Sequence, residues 1–156
     1  MKATRPAILI AVIFGVALVT WAVLRFSYVS LPPLPWTAVP TLLLLALGEA
    51  FTAVNLRGRI GHKPGTRPVE PLVVARMAAL GKASAHAAAA LAGVFGGFLL
   101  HLAAALDKAT PRHDFFVSAG TFVAAVILVG AALFLEYACR VPKSPHDEDE
   151  RRGTVR

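Results

Sequence analysis

The sequence predicts an all-α fold, an integral membrane four-helix bundle with both termini in the cytoplasm. Apolar residues fill four long runs at 7–24, 38–56, 83–102 and 116–138. Each run is close to the roughly 20 residues that a helix needs to cross the hydrocarbon core of a bilayer. Hydrophobic residues make up 56% of the 156-residue chain and charged residues 16%, so a water-soluble domain of this size is excluded.

The distribution of positive charge predicts the topology. The formal net charge is +7, and all 16 Lys and Arg residues except Arg25, Lys108 and Arg112 fall on one side if both termini and the 57–76 segment share that side. The positive-inside rule assigns this side to the cytoplasm. The basic residues cluster at helix ends and no nucleic-acid-binding module is recognisable, so we expect no nucleic-acid partner.

Helix boundaries follow from the flanking residues. Pro6 fits the first turn of helix one, for which we predict residues 7–26. A proline-rich connector then leads to helix two, predicted at 37–56 and ended by the Arg57-Gly58-Arg59 sequence. Helix three is predicted at 71–105, after a polar loop rich in Gly and Pro.

The second half of the chain completes one membrane domain. We predict an outer loop at 107–114 that contains Pro111, with Asp107, His113 and Asp114 as solvated loop residues, and then helix four at 116–138. The domain therefore spans residues 1–140. Residues 141–156 are charged and lack apolar anchors, which predicts a disordered cytoplasmic tail.

Helix three carries a small residue at every fourth position. Small residues let two helix backbones approach closely in lipid, which predicts a packing seam. Packing within one bundle is favoured over a dedicated homodimer seam because such motifs are common in membrane helices. The predicted helix-packing residues, which we call the small-residue ladder, are Gly81, Ala85, Ala89, Gly93 and Gly97.

Polar residues inside the membrane are the candidate functional site. Glu49 stands eight residues before Arg57, which places it about 12 Å below the end of its helix. An ionised carboxylate at that depth needs a partner. Lys82 and His86 supply candidates if helices two and three are neighbours. The predicted polar cluster, which is either a structural clamp or a proton or ion relay, comprises Glu49, Lys82, His86, Thr52 and Asn55.

The remaining basic residues indicate contacts with lipid, and the sequence lacks the common catalytic motifs. Anionic lipid headgroups should contact the residues at the helix ends and in the middle loop, namely Arg57, Arg59, Lys63, Arg67 and Arg76. The chain has no recognised motif of a hydrolase, a zinc protease, a phosphate-binding loop or a dithiol enzyme. We therefore predict no catalytic residues, no metal and no cofactor.

The segment PLVVARMAALGKASA at 71–85, followed by the small residues up to Gly97, resembles a known family. It is similar to small four-helix actinobacterial membrane proteins grouped as domain of unknown function 3180. The resemblance covers about residues 4–140. It implies a bacterial plasma-membrane location and genes near those of folate biosynthesis, with no established activity and no catalytic residue to transfer.

Two functional hypotheses are favoured over a third, an intramembrane enzyme. The first is a non-enzymatic accessory or scaffold subunit of the plasma membrane that packs against a membrane-protein partner or forms a homo-oligomer. The second is a small transporter or channel subunit with a polar site at Glu49, Lys82 and His86. Four helices are few for a transporter that acts alone, so the second hypothesis requires an oligomer.

Overall fold

A computed structural model describes residues 5–28, 34–60, 71–104, 106 and 108–139, without the side chains of residues 59, 60 and 71. Within these residues the chain forms four helices and no strand. They are α1 (Pro6–Ser27), α2 (Ala38–Ile60), α3 (Pro71–Leu102) and α4 (Ala109–Ala138). All four are long and apolar enough to cross a membrane, which confirms the predicted all-α fold with four membrane-spanning helices.

The main difference from the sequence prediction is the start of α4, which begins at Ala109 and not at residue 116. Pro111 is the third residue of this helix. Its missing N–H removes no hydrogen bond there, because the first helical N–H groups have no partner within the helix. Residues 109–114 therefore belong to the first turns of α4. The prediction that His113 and Asp114 lie in a loop was wrong.

Smaller differences occur at other helix ends. Helix α2 continues through Gly58 to Ile60, and α3 ends at Leu102 rather than at residue 105. A glycine near the membrane surface did not stop α2, because glycine lowers helix stability by only about 1 kcal/mol. Pro32 and Pro33 of the first connector, Asp107 and the predicted disordered tail at 141–156 lie outside the described residues.

The four helices pack side by side in the order α1, α3, α4, α2, so helices that are consecutive in the sequence are not always in contact. Helix α1 packs on α3, α3 packs on α4, and α4 packs on α2. Ala53 and Leu56 of α2 contact Leu135 and Ala138 of α4, which shows this α2–α4 interface. Helices α2 and α3 are both held by α4 and do not form a packed pair.

The small residues of α3 lie where α3 approaches its neighbours. A Cβ atom added at Gly81 would come within 3.0 Å of the Ala132 carbonyl oxygen in α4. One added at Gly93 would lie 2.7 Å from the Ile13 carbonyl oxygen in α1. Larger residues would push these backbones apart, so the spacing of the glycines allows the close approach of three helices.

The rest of the ladder continues the same surface. A Cβ atom at Gly97 would lie 2.6 Å from Thr20 Cβ and 2.7 Å from the Ala17 carbonyl oxygen of α1. Ala85 and Ala89 are fully buried in a cluster with Leu9 of α1 and Ala132 of α4. All these ladder contacts lie inside one chain.

Candidate functional site

An open groove lies between α2 and α3 on the membrane-spanning surface. Its volume is about 620 Å³, and Leu135 of α4 lies at its floor. The α2 wall is lined by Leu44, Leu45, Gly48, Glu49 and Thr52, and the α3 wall by Met77, Leu80, Ala83, Ser84 and Ala87. The groove exists because α4 holds α2 and α3 apart.

Among the described residues, Glu49 is the single acidic side chain that lines this groove. It is 7% exposed, and its Oε2 atom has no hydrogen-bond partner among the described residues. A buried carboxyl oxygen without a donor destabilises the chain by about 1–3 kcal/mol, and by more if the group is ionised. The chain by itself therefore leaves this group unsatisfied.

Lys82 and His86 do not provide the expected partner. Ser84 lines the groove, and both residues lie about 200° around the α3 axis from Ser84, on the flank that faces α1. Lys82 is exposed, while the half-buried His86 places its Nδ1 atom 2.8 Å from the Lys82 carbonyl oxygen. The carbonyl can only accept, so Nδ1 donates. The structural clamp between Glu49 and these residues is not formed, because both residues lie on the side of α3 away from α2.

The two other members of the predicted polar cluster differ in position. Thr52 lines the groove one turn from Glu49, and its hydroxyl donates to the Gly48 carbonyl oxygen at 2.7 Å. Asn55 is exposed and does not line the groove. Ser84, which the sequence analysis did not single out as a site residue, adds a hydroxyl on the opposite wall. Polar groups in the groove are thus Glu49, Thr52 and Ser84.

The predicted headgroup residues stay at the helix ends. Arg57 and Arg76 are exposed, and the Arg57 guanidinium lies 5.6 Å from the centre of the Tyr137 ring. At the other end of the row, the Arg25 guanidinium lies 5.0 Å from the Trp21 ring. Cations over aromatic faces are typical of the membrane interface. Lys63, Arg67 and the side chain of Arg59 lie outside the described residues.

A second polar site joins the helix ends far from Arg57. Asp114 of α4 is 2% exposed, and its Oδ2 atom accepts a hydrogen bond from the Tyr28 hydroxyl at 2.9 Å. Its Oδ1 atom accepts from the backbone N–H of Leu34 at 3.1 Å and lies 3.3 Å from His113 Nδ1. Three donors around one carboxylate satisfy its negative charge. We name Tyr28, Leu34, Trp36, His113 and Asp114 the Asp114 cluster.

The hydrogen bonds define the tautomer of His113. Trp36 Nε1 can only donate, and it lies 3.0 Å from His113 Nε2. Nε2 is therefore the acceptor, and the ring proton is on Nδ1, which faces Asp114. The cluster ties the end of α1, the start of α2 and the start of α4 together.

The pKa of the Tyr28 hydroxyl is raised in this cluster. Burial raises its pKa first, followed by the hydrogen bond to Asp114 and the negative charge of that carboxylate, to a value of about 12. Tyr28 therefore remains a neutral donor at physiological pH. Its ring also lies 5.3 Å from the His101 ring at the end of α3, so all four helices contribute to this end of the protein.

The family model described as "Protein of unknown function (DUF3180)" matches residues 9–143. The chain belongs to this family. The resemblance inferred from the α3 sequence is thereby confirmed. No curated protein and no solved structure matches this chain.

The site that sequence reasoning missed in this DUF3180 protein is the Asp114 cluster. Its members come from positions as far apart as 28 and 114, and no short-range spacing connects them. One local signal was present: Thr110-Pro111 is a plausible helix start, and it places Asp114 on a helix rather than in a loop. The burial of Asp114 required the tertiary structure.

Proposed function

We propose that this membrane protein is a non-enzymatic accessory or scaffold subunit that associates with another polypeptide through the α2–α3 groove. The observation that carries the proposal is the buried Glu49 oxygen in the groove, which lacks a partner within the described chain. A transmembrane helix that fills the groove can bring the missing hydrogen-bond donor. We further propose a bacterial plasma membrane, contact with its anionic headgroups, and cytoplasmic termini, on the charge asymmetry of the sequence.

The shape of the groove supports a helix as its occupant. Gly48 and Thr52 are separated by four residues on one wall, and Ala83 and Ala87 are separated by four on the other. A Cβ atom at Gly48 would meet no neighbouring atom within 4 Å, so no contact inside the chain requires glycine there. Small residues at this spacing on both walls provide the close approach that helix packing in lipid needs.

Site-specific photocrosslinking tests the proposal. A benzophenone side chain is introduced at Leu45, which lines the groove, or at Phe51, which is 70% exposed on the same helix and does not line it. The intact protein is irradiated in its native membrane and purified. We expect protein adducts of discrete mass from position 45 and lipid adducts from position 51. Lipid adducts from both positions would refute the proposal.

A small transporter or channel subunit is the second candidate, and the same groove supports it. The Glu49 carboxyl and the Thr52 and Ser84 hydroxyls give the groove a polar section at membrane depth. Polar groups at this depth are characteristic of ion and substrate pathways. In reconstituted vesicles, Glu49→Gln should abolish flux and leave assembly intact if transport is the function. Loss of assembly with unchanged flux favours the accessory subunit.

A further inference from the structure

We infer that the α2–α3 groove is filled by a second copy of this chain, whose Lys82 ammonium pairs with Glu49. The inference rests on the proposed function, because it names the polypeptide that occupies the groove. Two groups of opposite charge in one chain cannot meet within that chain. Glu49 is buried in the groove with an unsatisfied oxygen, and Lys82 is exposed on the opposite flank of α3.

Contacts within the structure show that the two groups lie at the same depth. Ala46 of α2 packs in one cluster with Ala88 of α3. Ala53 of α2 belongs to a second cluster against which Met77 and Ala78 of α3 pack. Glu49 lies between Ala46 and Ala53, so its level on α3 is near Ser84, which lines the same groove.

That level falls between Lys82 and His86. Helical geometry agrees, since Glu49 is about 12 Å from Arg57 along α2, and Lys82 is about 9 Å from Arg76 along α3. Two copies in one bilayer share the same orientation and depth. A Lys82 side chain on one copy is thus level with Glu49 on its neighbour without any tilt or vertical shift.

The orientation of the two groups excludes the same contact inside one chain. Lys82 lies about 200° around α3 from the groove residue Ser84, so its side chain leaves α3 away from α2. The described residues include no acidic partner for Lys82. Glu49 and Lys82 carry opposite charges at the same depth but on different faces of the chain, as expected for a contact between two copies. In such a contact each ion compensates for the hydration that the other has lost.

The resulting contact joins two different surfaces. Each copy presents the α2–α3 groove to one neighbour and the surface where Lys82 is exposed beside α1 to the other. Such a head-to-tail interface forms a ring when the rotation closes and a row when it does not. The small residues Gly48, Ala83 and Ala87 in the groove let the neighbouring helix approach Glu49 closely.

Cysteine crosslinking between copies tests the geometry. Cys139 is the single cysteine of the chain, so Cys139→Ser gives a cysteine-free background. Thr52→Cys in the groove is combined in one membrane with a differently tagged copy that carries Ala79→Cys, an exposed position one turn from Lys82. We expect crosslinks between the two tags. Leu100→Cys, exposed near the far end of α3, is the matched control and should not crosslink to Thr52→Cys.

Charge exchange tests the pairing itself. Glu49→Lys alone places two cations at each interface, and Lys82→Glu alone places two carboxylates there. Each should lower the crosslinked fraction by about tenfold or more. When the two variants are mixed, every interface between unlike copies again joins opposite charges, so crosslinks should return between tags. The double variant Glu49→Lys/Lys82→Glu should also assemble.

Glu49→Gln and Lys82→Met cover the case in which a reversed charge prevents folding. Both are uncharged and similar in size to the original residues, and each should reduce crosslinking while the helix content by circular dichroism stays unchanged. Crosslinks that persist in both neutral variants would overturn the pairing. Photocrosslinks from Leu45 to a different protein, without crosslinks between tags, would refute the inference that a second copy fills the groove. They would still support the proposed accessory function. Lipid adducts alone would overturn both.

Discussion

Removal of the Asp114 carboxylate is the sharpest test of the fold. Asp114→Ala leaves the Tyr28 hydroxyl and the Leu34 N–H without their acceptor, and it also removes the acceptor that faces His113 Nδ1. A hydrogen bond to a charged group contributes about 1.5–3 kcal/mol. Two such bonds set an upper limit of about 6 kcal/mol. The His113 contact is 3.3 Å long and involves an exposed ring, so we assign it no further contribution.

Two effects lower this limit. Tyr28 is only half-buried, so water partly replaces its lost acceptor. Truncation also removes a 2% exposed carboxylate whose burial is itself unfavourable. We therefore expect Asp114→Ala to lower the free energy of unfolding by about 2–4 kcal/mol. Asp114→Asn keeps one acceptor oxygen and should lose about half as much.

The measurement is equilibrium unfolding in mixed micelles of a mild detergent and dodecyl sulfate, followed by circular dichroism. Ser118→Ala is the matched control, because Ser118 lies one turn further along α4, is fully buried, and has no hydrogen-bond partner for its hydroxyl among the described residues. Its substitution removes a buried hydroxyl that has no partner and should leave stability unchanged or raise it. If Asp114→Ala is no more destabilising than Ser118→Ala, the Asp114 cluster does not hold the helix ends together.

Gly97→Ala should destabilise the protein by about 1–3 kcal/mol because its Cβ would overlap α1. Gly15→Ala, with open space around it, should be neutral or stabilise the protein by up to about 1 kcal/mol in the same unfolding assay. The pKa of Tyr28 is raised to about 12 in the folded protein, compared with about 10 for a tyrosine in the unfolded chain. Between these values the unfolded chain loses the phenolic proton while the folded protein keeps it, so the stability should fall as the pH rises from about 10 through 12. In a background with the other tyrosine replaced by Phe, Asp114→Asn should lower the pKa read from tyrosinate absorbance; an unchanged value would contradict the assigned hydrogen bond. Burial, together with the charge of Glu136, raises the pKa of the Cys139 thiol, so maleimide should label it slowly until the protein unfolds.

The fold class could be predicted from the sequence because hydrocarbon leaves few alternatives for the backbone. A run of about 20 apolar residues in lipid must satisfy its N–H and C=O groups internally, and a helix does so with local hydrogen bonds. The small-residue ladder from Gly81 to Gly97 could also be predicted, because the residues that share one face of a helix depend only on their spacing along that helix. The start of α4 was misplaced because proline was treated as a loop signal rather than as a residue of the first turn.

The neighbours of each helix were decided by the tertiary structure alone. Nothing local in the sequence shows that α4 separates α2 from α3, and this one packing choice places Glu49 in an open groove instead of against Lys82 and His86. The Asp114 cluster likewise depends on contacts across 86 positions of the chain. Local hydrogen bonding determines helices in a membrane, whereas side-chain fit between distant helices determines which polar groups meet and which remain available for another molecule.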